Sequence, residues 1–244
     1  MMKRMTNATN ILTRVVVFLI LASPYFSFAA QSNDAVEPNV KGKDTIELLT
    51  TNNFSGWKVP STNWSVVDNT ILGSTGNKQL STSEWLYTEQ RFKDFEFTCD
   101  VKLTGDDRRN TGIYFRVNTF IFKSAHGNKS FEAPSGYEFD LARHNPDKRN
   151  FWGALGDWFA RKKLRIFADQ NLIVNTYTPQ EWNRLTIRAR DKRIEYWING
   201  IKVMDYIDED PKASREGNIG FQLHDGTVMQ VAYKNIRVRK LKLK

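Results

Sequence analysis

The stretch Phe95-Glu96-Phe97-Thr98-Cys99-Asp100-Val101-Lys102-Leu103 alternates strictly between apolar and polar side chains. A helix would scatter those apolar residues around its circumference, whereas an extended strand puts all five on one face. Shorter runs repeat the pattern. Trp64-Ser65-Val66-Val67 is followed by Asp68-Asn69 and then Ile71-Leu72-Gly73, the signature of a hairpin. Trp85-Leu86-Tyr87-Thr88 reads as a short strand, and Trp182 to Arg190 as a longer one with Leu185, Ile187 and Ala189 inward. Asp191-Lys192 turns the chain into Arg193–Trp197, and Asn199-Gly200 is a type I′ signal leading into Ile201-Lys202-Val203-Met204. Val231–Val238 closes the series. No segment of comparable length has a helical period. The pattern predicts one all-β domain, a two-sheet antiparallel β-sandwich of jelly-roll type.

The ends of the chain read differently. Lys3, Arg4 and Arg14 precede the apolar run Val15–Ala22, and Ser27-Phe28-Ala29 supplies small residues for cleavage. This is the layout of a secretory signal peptide over 1–29, and the run is short for a membrane span. The expected mature chain is secreted or periplasmic, with no stable membrane insertion. Residues 30–43 are polar and unpatterned, a flexible leader before a domain over 44–241. Removing 1–29 takes away three cations and no acids, leaving 33 Lys+Arg against 27 Asp+Glu. Part of the excess is the tail Arg237, Arg239, Lys240, Lys242 and Lys244, which reads as a solvated terminal strand, so no nucleic-acid partner is expected. Cys99 is the only cysteine. With no second cysteine an internal disulfide is impossible, and its apolar parity suggests a buried, inert thiol.

Three further runs carry the functional signal. In Gly112-Ile113-Tyr114-Phe115-Arg116, Ile113 and Phe115 share one parity, Tyr114 and Arg116 the other. Tyr137-Glu138-Phe139-Asp140-Leu141 sets Glu138 and Asp140 opposite three apolar residues, and Phe221-Gln222-Leu223-His224 sets Gln222 and His224 opposite two. If the three strands share a sheet, the face away from the core gathers Tyr114, Arg116, Glu138, Asp140, Gln222 and His224. Arg116 with Glu138 or Asp140 equally suits a plain cross-strand ion pair, and His224 a satisfied structural histidine. The polar stretch 118–135 and the irregular stretch 142–180 read as long loops. His126 and His144 fall within them. Trp152 and Trp158 of the second stretch either stack on sugar rings or cap the core. No His-x-His or Cys cluster supports zinc. Asp205, Asp208, Glu209 and Asp210 are oxygen donors of the kind calcium takes, though such a run is usually a solvated loop. A divalent cation on the sheet face stays open, and no cofactor is otherwise indicated.

Ten motifs occur in order: Phe54-Ser55-Gly56-Trp57, Trp64–Ile71, Asp94-Phe95-Glu96-Phe97, Asn110–Arg116, Gly136-Tyr137-Glu138, Gly153-Ala154-Leu155, Glu181-Trp182-Asn183, Trp197-Ile198-Asn199-Gly200, Gly220–His224 and Lys234-Asn235-Ile236-Arg237. The series resembles the 3-keto-disaccharide hydrolase family over roughly residues 44–241. The resemblance implies a concanavalin A-like jelly roll acting on glycosides whose C3 hydroxyl is oxidised to a ketone, by hydrolysis or elimination. A C3 ketone acidifies the C2 proton, so cleavage needs a base, a donor or cation for the enolate oxygen, and an acid for the leaving group. His224 suits the first role and Arg116 the second, with Tyr114, Glu138 or Asp140 for the third. Tyr114, Gln222, Trp152 and Trp158 are the candidate substrate-binding residues.

A direct glycosidase is a weaker reading. Glu138-Phe139-Asp140 resembles part of the Glu-x-Asp-x-Glu strand of laminarinase-type enzymes, but Ala142 occupies the third position. The alternative to an enzyme is a non-catalytic carbohydrate-binding jelly-roll module.

Overall fold

The computed structural model describes residues 35–124, 130–142 and 152–242. The expected signal peptide, His126 and His144 lie outside the described residues. The order of elements is β1 (Thr45–Glu47), β2 (Trp57–Lys58), β3 (Trp64–Val67), β4 (Thr70–Ser74), β5 (Glu84–Phe92), β6 (Phe95–Gly105), β7 (Gly112–Lys123), β8 (Ser130–Asp140), β9 (Ala154–Gly156), β10 (Arg165–Ile166), α1 (Gln170–Thr176), β11 (Asn183–Arg190), β12 (Arg193–Ile198), β13 (Ile201–Ile207), β14 (Gly217–Leu223) and β15 (Met229–Lys240). A front sheet runs β10-β9-β8-β7-β14-β5-β2, and a back sheet runs β13-β12-β11-β6-β15-β4-β3 with β1 beside β15. The result is an antiparallel jelly-roll sandwich.

Strand β6, the most regular run of the sequence, sits in the middle of the back sheet between β11 and β15. Phe95, Phe97, Cys99, Val101 and Leu103 are all buried against the front sheet. Aromatic stacks join the two layers. Phe139 of β8 lies flat on Tyr196 of β12 with centroids 4.1 Å apart, and Phe221 of β14 on Tyr233 of β15 at 3.9 Å. Each such contact adds about 0.5–1.5 kcal/mol to the burial of its rings.

The hairpins follow from residues that tolerate left-handed backbone. Asp68 and Asn69 (φ 47° and 54°) close β3 on β4, and Asn199 and Gly200 (φ 49° and 93°) close β12 on β13. Both are two-residue turns with positive φ at each central position, the geometry that matches strand twist.

Three segments expected to be irregular are more ordered than their sequences suggest, and the first, 118–135, is largely the paired ends of β7 and β8. The stretch 142–180 contributes β9, β10 and the short helix α1, which begins where the Asp169 carboxylate accepts the Asn171 amide at 2.8 Å. The expected flexible leader is seated on the back sheet from Ala35 onward. Trp197 Nε1 donates to the Ala35 carbonyl at 3.1 Å, Glu37 pairs with Arg184, and Val40 is buried. The acidic run is taken up in ion pairs: Asp205 meets Arg193 and Lys202, Asp208 meets Arg161, and Glu209 meets Lys192. Among the described residues no helix is long and apolar enough to cross a membrane.

Candidate active site

Antiparallel register places one outward-facing row across five strands of the front sheet. Gly156 of β9 pairs with Glu138 of β8, Glu138 with Tyr114 of β7, Tyr114 with Gly220 of β14, and Gly220 with Tyr87 of β5. In the adjoining row Ala154 pairs with Asp140 and Asp140 with Gly112, while Gln222 pairs with Trp85. Side-chain alternation therefore brings Tyr114, Glu138, Asp140 and Gln222 to one face, as their parity predicts.

The glycines of these rows are spaces for neighbouring side chains. A Cβ on Gly112 would lie 2.0 Å from Glu138 Oε1, so the carboxylate rests directly on that backbone. A Cβ on Gly156 would meet the Trp158 indole at 2.7 Å, and one on Gly220 the Tyr87 ring at 2.5 Å. Three large side chains thus lie along the sheet rather than standing off it.

The electrostatics follow from burial. Glu138 and Asp140 are 2% and 3% exposed, and two carboxylates on one strand face cannot both ionise cheaply there. Burial, reinforced by the Asp140 charge, raises the Glu138 carboxyl well above its ordinary range. The Tyr114 hydroxyl and Trp158 indole oppose this by donating hydrogen bonds to it. Burial also pushes Asp140 up to about 7, although the backbone amides of Ala142 (2.8 Å) and Leu141 donate to it and pull the other way. Tyr114 is raised well above the usual phenol value, first by burial and then by the Glu138 charge. Gln222 Nε2 donates to Tyr114 Oη at 3.2 Å, completing a chain from Gln222 through Tyr114 to Glu138.

Not every expected residue joins this group. Arg116 does not. A β-bulge shifts the β7 register after Phe115, and Arg116 takes φ 51°. Its guanidinium turns to the end of the sandwich, fully buried, and donates to Asp94 Oδ1 (3.1 Å), the Lys93 carbonyl (2.8 Å) and the Asp191 carbonyl (2.7 Å). Strict parity fails here because one extra residue resets the alternation. The arginine fastens two turns instead of facing the carboxylates.

Trp152 is likewise a core residue, buried and stacked on Tyr177 with centroids 3.5 Å apart. Trp158 does join the site through Glu138. His224 stands just past the end of β14, half-buried, with Nδ1 2.6 Å from the Asp225 carbonyl oxygen. No contact between His224 and the two carboxylates is present among the described residues.

The same face also holds aromatic residues beyond the expected set, packed around Tyr114. Trp85, Tyr114 and Val117 form a small apolar cluster separate from the main core, with Tyr87, Phe131 and Phe159 against it. Trp85 stacks on Phe131 and meets Phe159 edge-on, with centroids 6.2 and 5.8 Å away. The signal was available in Trp85-Leu86-Tyr87-Thr88, whose aromatics share the parity opposite Leu86. Among the described residues no group of three or more His, Cys, Asp or Glu side chains comes together to hold a metal ion.

The protein is an antiparallel jelly-roll sandwich with a buried carboxyl pair on its outer sheet face. The chain belongs to the 3-keto-alpha-glucoside-1,2-lyase-like domain family, whose profile matches residues 44–239. A comparison with curated proteins returned no match. Among solved structures, one from Parabacteroides distasonis provisionally assigned as a glycosyl hydrolase is similar at a TM-score of 0.58 and 19% identity, covering 81% of this chain and 94% of that one. A Bacillus subtilis protein of unknown function with a galectin-like fold has a TM-score of 0.56 at 13% identity, covering 80% and 94%. The laminarinase of Rhodothermus marinus has a TM-score of 0.50 at 12% identity, covering 74% and 81%. Identities this low speak for the fold alone.

Proposed function

We propose that this protein cleaves glycosides of 3-keto sugars, and that Glu138 and Asp140 carry the proton transfers. The observation behind the proposal is the pair of carboxyls, Glu138 and Asp140, buried on one outer face of β8. Asp140, raised to about 7, is ionised in a sizeable fraction of molecules at neutral pH and is still a competent base. Glu138, raised well above the usual range by burial and by the Asp140 charge, takes the acid role in this proposal. Two carboxyls in one site serve as base and acid when one is ionised and the other protonated.

The reaction then runs in two stages. Asp140 takes the proton from C2, and the electron pair becomes the enolate of the C3 ketone. Collapse of the enolate breaks the C1–O bond, and the departing oxygen takes the Glu138 proton. The sugar is left as a C1=C2 enone. Water adds with its hydroxyl at C1 and its proton to Glu138, while Asp140, whose captured proton exchanges with solvent before the addition, protonates C2. The sum is hydrolysis through elimination. Tyr114 and Gln222 hold the Glu138 carboxyl through their hydrogen-bond chain.

The test is product analysis. Purified protein offered a 3-keto-disaccharide should release 3-keto-glucose, and in heavy water the product should carry deuterium at C2. Release without C2 exchange would remove the elimination route. Binding of the sugar with no turnover would make the chain a carbohydrate-binding module. We further propose that the protein acts outside the cytoplasm, as the N-terminal segment suggests; N-terminal sequencing of exported protein should find a start near Ala30.

A further inference from the structure

The elimination proposed above needs a donor at the enolate oxygen, and the displacement of Arg116 leaves that role vacant. Tyr87 faces the acid pair from the opposite side of the row. Strands lie about 4.8 Å apart, so three steps from β5 to β8 put the Tyr87 and Glu138 Cα atoms roughly 14 Å apart. Both side chains lean inward over the gap. The Tyr87 ring lies on Gly220 and the Glu138 carboxylate on Gly112, each on a backbone that lacks a Cβ. The phenol therefore reaches toward β7 from one side and the carboxylate from the other.

The Tyr87 hydroxyl is buried, yet it has no hydrogen-bond partner among the described residues. Such groups are rare in folded proteins, because an unpaired buried hydroxyl forgoes water without replacement. On the same face Gln222, 4% exposed, spends its amide nitrogen on Tyr114 while its Oε1 atom has no donor among the described residues. A face with a free buried hydroxyl and a free buried acceptor suits a ligand that brings both an acceptor and a donor, as a keto sugar does. Burial, together with the charges of Glu132 and Glu138, raises the Tyr87 phenol far above its ordinary value, so it stays protonated and can only donate to an oxyanion.

We propose that the Tyr87 hydroxyl donates the hydrogen bond that stabilises the C3 enolate oxygen. The assignment rests on the 3-keto-glycoside reading of the site. Its test is Tyr87→Phe, which keeps the ring on Gly220 and deletes only the hydroxyl, assayed on p-nitrophenyl and methyl 3-keto-glucosides. Nitrophenolate departs without an acid and methoxide does not, so a group acting on the enolate affects both substrates alike.

Turnover should fall about 10²–10³-fold on both, the usual loss for one oxyanion donor, with the thermal midpoint little changed. Turnover within about threefold of wild type on both substrates would overturn the assignment, as would a loss confined to the methyl glycoside, which would make Tyr87 a leaving-group acid. If wild-type protein turns over neither compound, the 3-keto-glycoside reading itself fails and the Tyr87 role with it. A defect confined to the Tyr87→Phe variant tests the donor alone.

Discussion

The Glu138 carboxylate lies directly on the backbone of Gly112, where a Cβ would come within 2.0 Å of Oε1. That contact is a consequence of antiparallel register, which puts Gly112 opposite Asp140 and Tyr114 opposite Glu138. Gly112→Ala should therefore push the carboxylate off its seat and away from Tyr114. Turnover of a 3-keto-glycoside is expected to drop at least about tenfold, with an overpacking cost of roughly 1–3 kcal/mol seen in denaturant melts. Wild-type turnover in that variant would show that the position of Glu138 is unimportant.

Asp140→Asn and Glu138→Gln preserve shape and remove the proton carriers. Each is expected to lower turnover by about 10²–10⁴-fold, the range for a positioned acid or base. Wild-type rates should rise with pH through about 7 as Asp140 ionises, and the Asp140→Asn variant should lose that limb. A pH profile unaltered by the substitution would remove Asp140 as the base.

Stability should show the opposite pH trend. An unfolded Asp titrates at about 3.9, whereas burial holds the folded Asp140 up to about 7. Between those values the folded chain binds more protons than the unfolded one, so this group's contribution declines as pH rises and levels off above the folded value. Asp140→Asn should relieve that decline, gaining on the order of 1 kcal/mol or more at pH 8 and less at pH 4. Thermal melts of both proteins at the two pH values measure the difference.

Arg116→Ala strands the buried Asp94 carboxylate, which also accepts the Asp191 amide at 2.6 Å. Losing one partner of a buried pair costs about 3–5 kcal/mol, so this variant should melt well below wild type. Where enough of it folds to assay, its specific activity per folded molecule should be retained. Full stability with lost activity would return Arg116 to the chemistry.

His224→Ala distinguishes the imidazole from the carboxyls as base. The described contacts of His224 are to Asp225 alone, so less than about a tenfold loss of turnover is expected. A defect equal to that of Asp140→Asn would give the base role to His224.

Much of this protein was legible in residue order. Alternation in Phe95–Leu103 named a strand with one buried face. Asp68-Asn69 and Asn199-Gly200 named the turns, and Cys99 was buried as its parity predicts. The same rule delivered Tyr114, Glu138, Asp140 and Gln222 to one face, because within an uninterrupted strand the side-chain direction depends only on odd and even positions.

Tertiary structure decided what lies beyond that local rule. The bulge after Phe115, with Gly136 and Gly217 close against the Arg116 backbone, turned the arginine away from the face. Nothing in Gly112–Arg116 by itself announces an extra residue. Trp152 went to the core and Trp158 to Glu138 because packing against Tyr177 and over Gly156 selected between two equivalent-looking indoles. Alternation by itself puts Trp85 and Tyr87 on one parity. Only the strand order β8-β7-β14-β5 placed them on the same face as the acids, since long-range pairing is set by the whole sheet and not by any one strand.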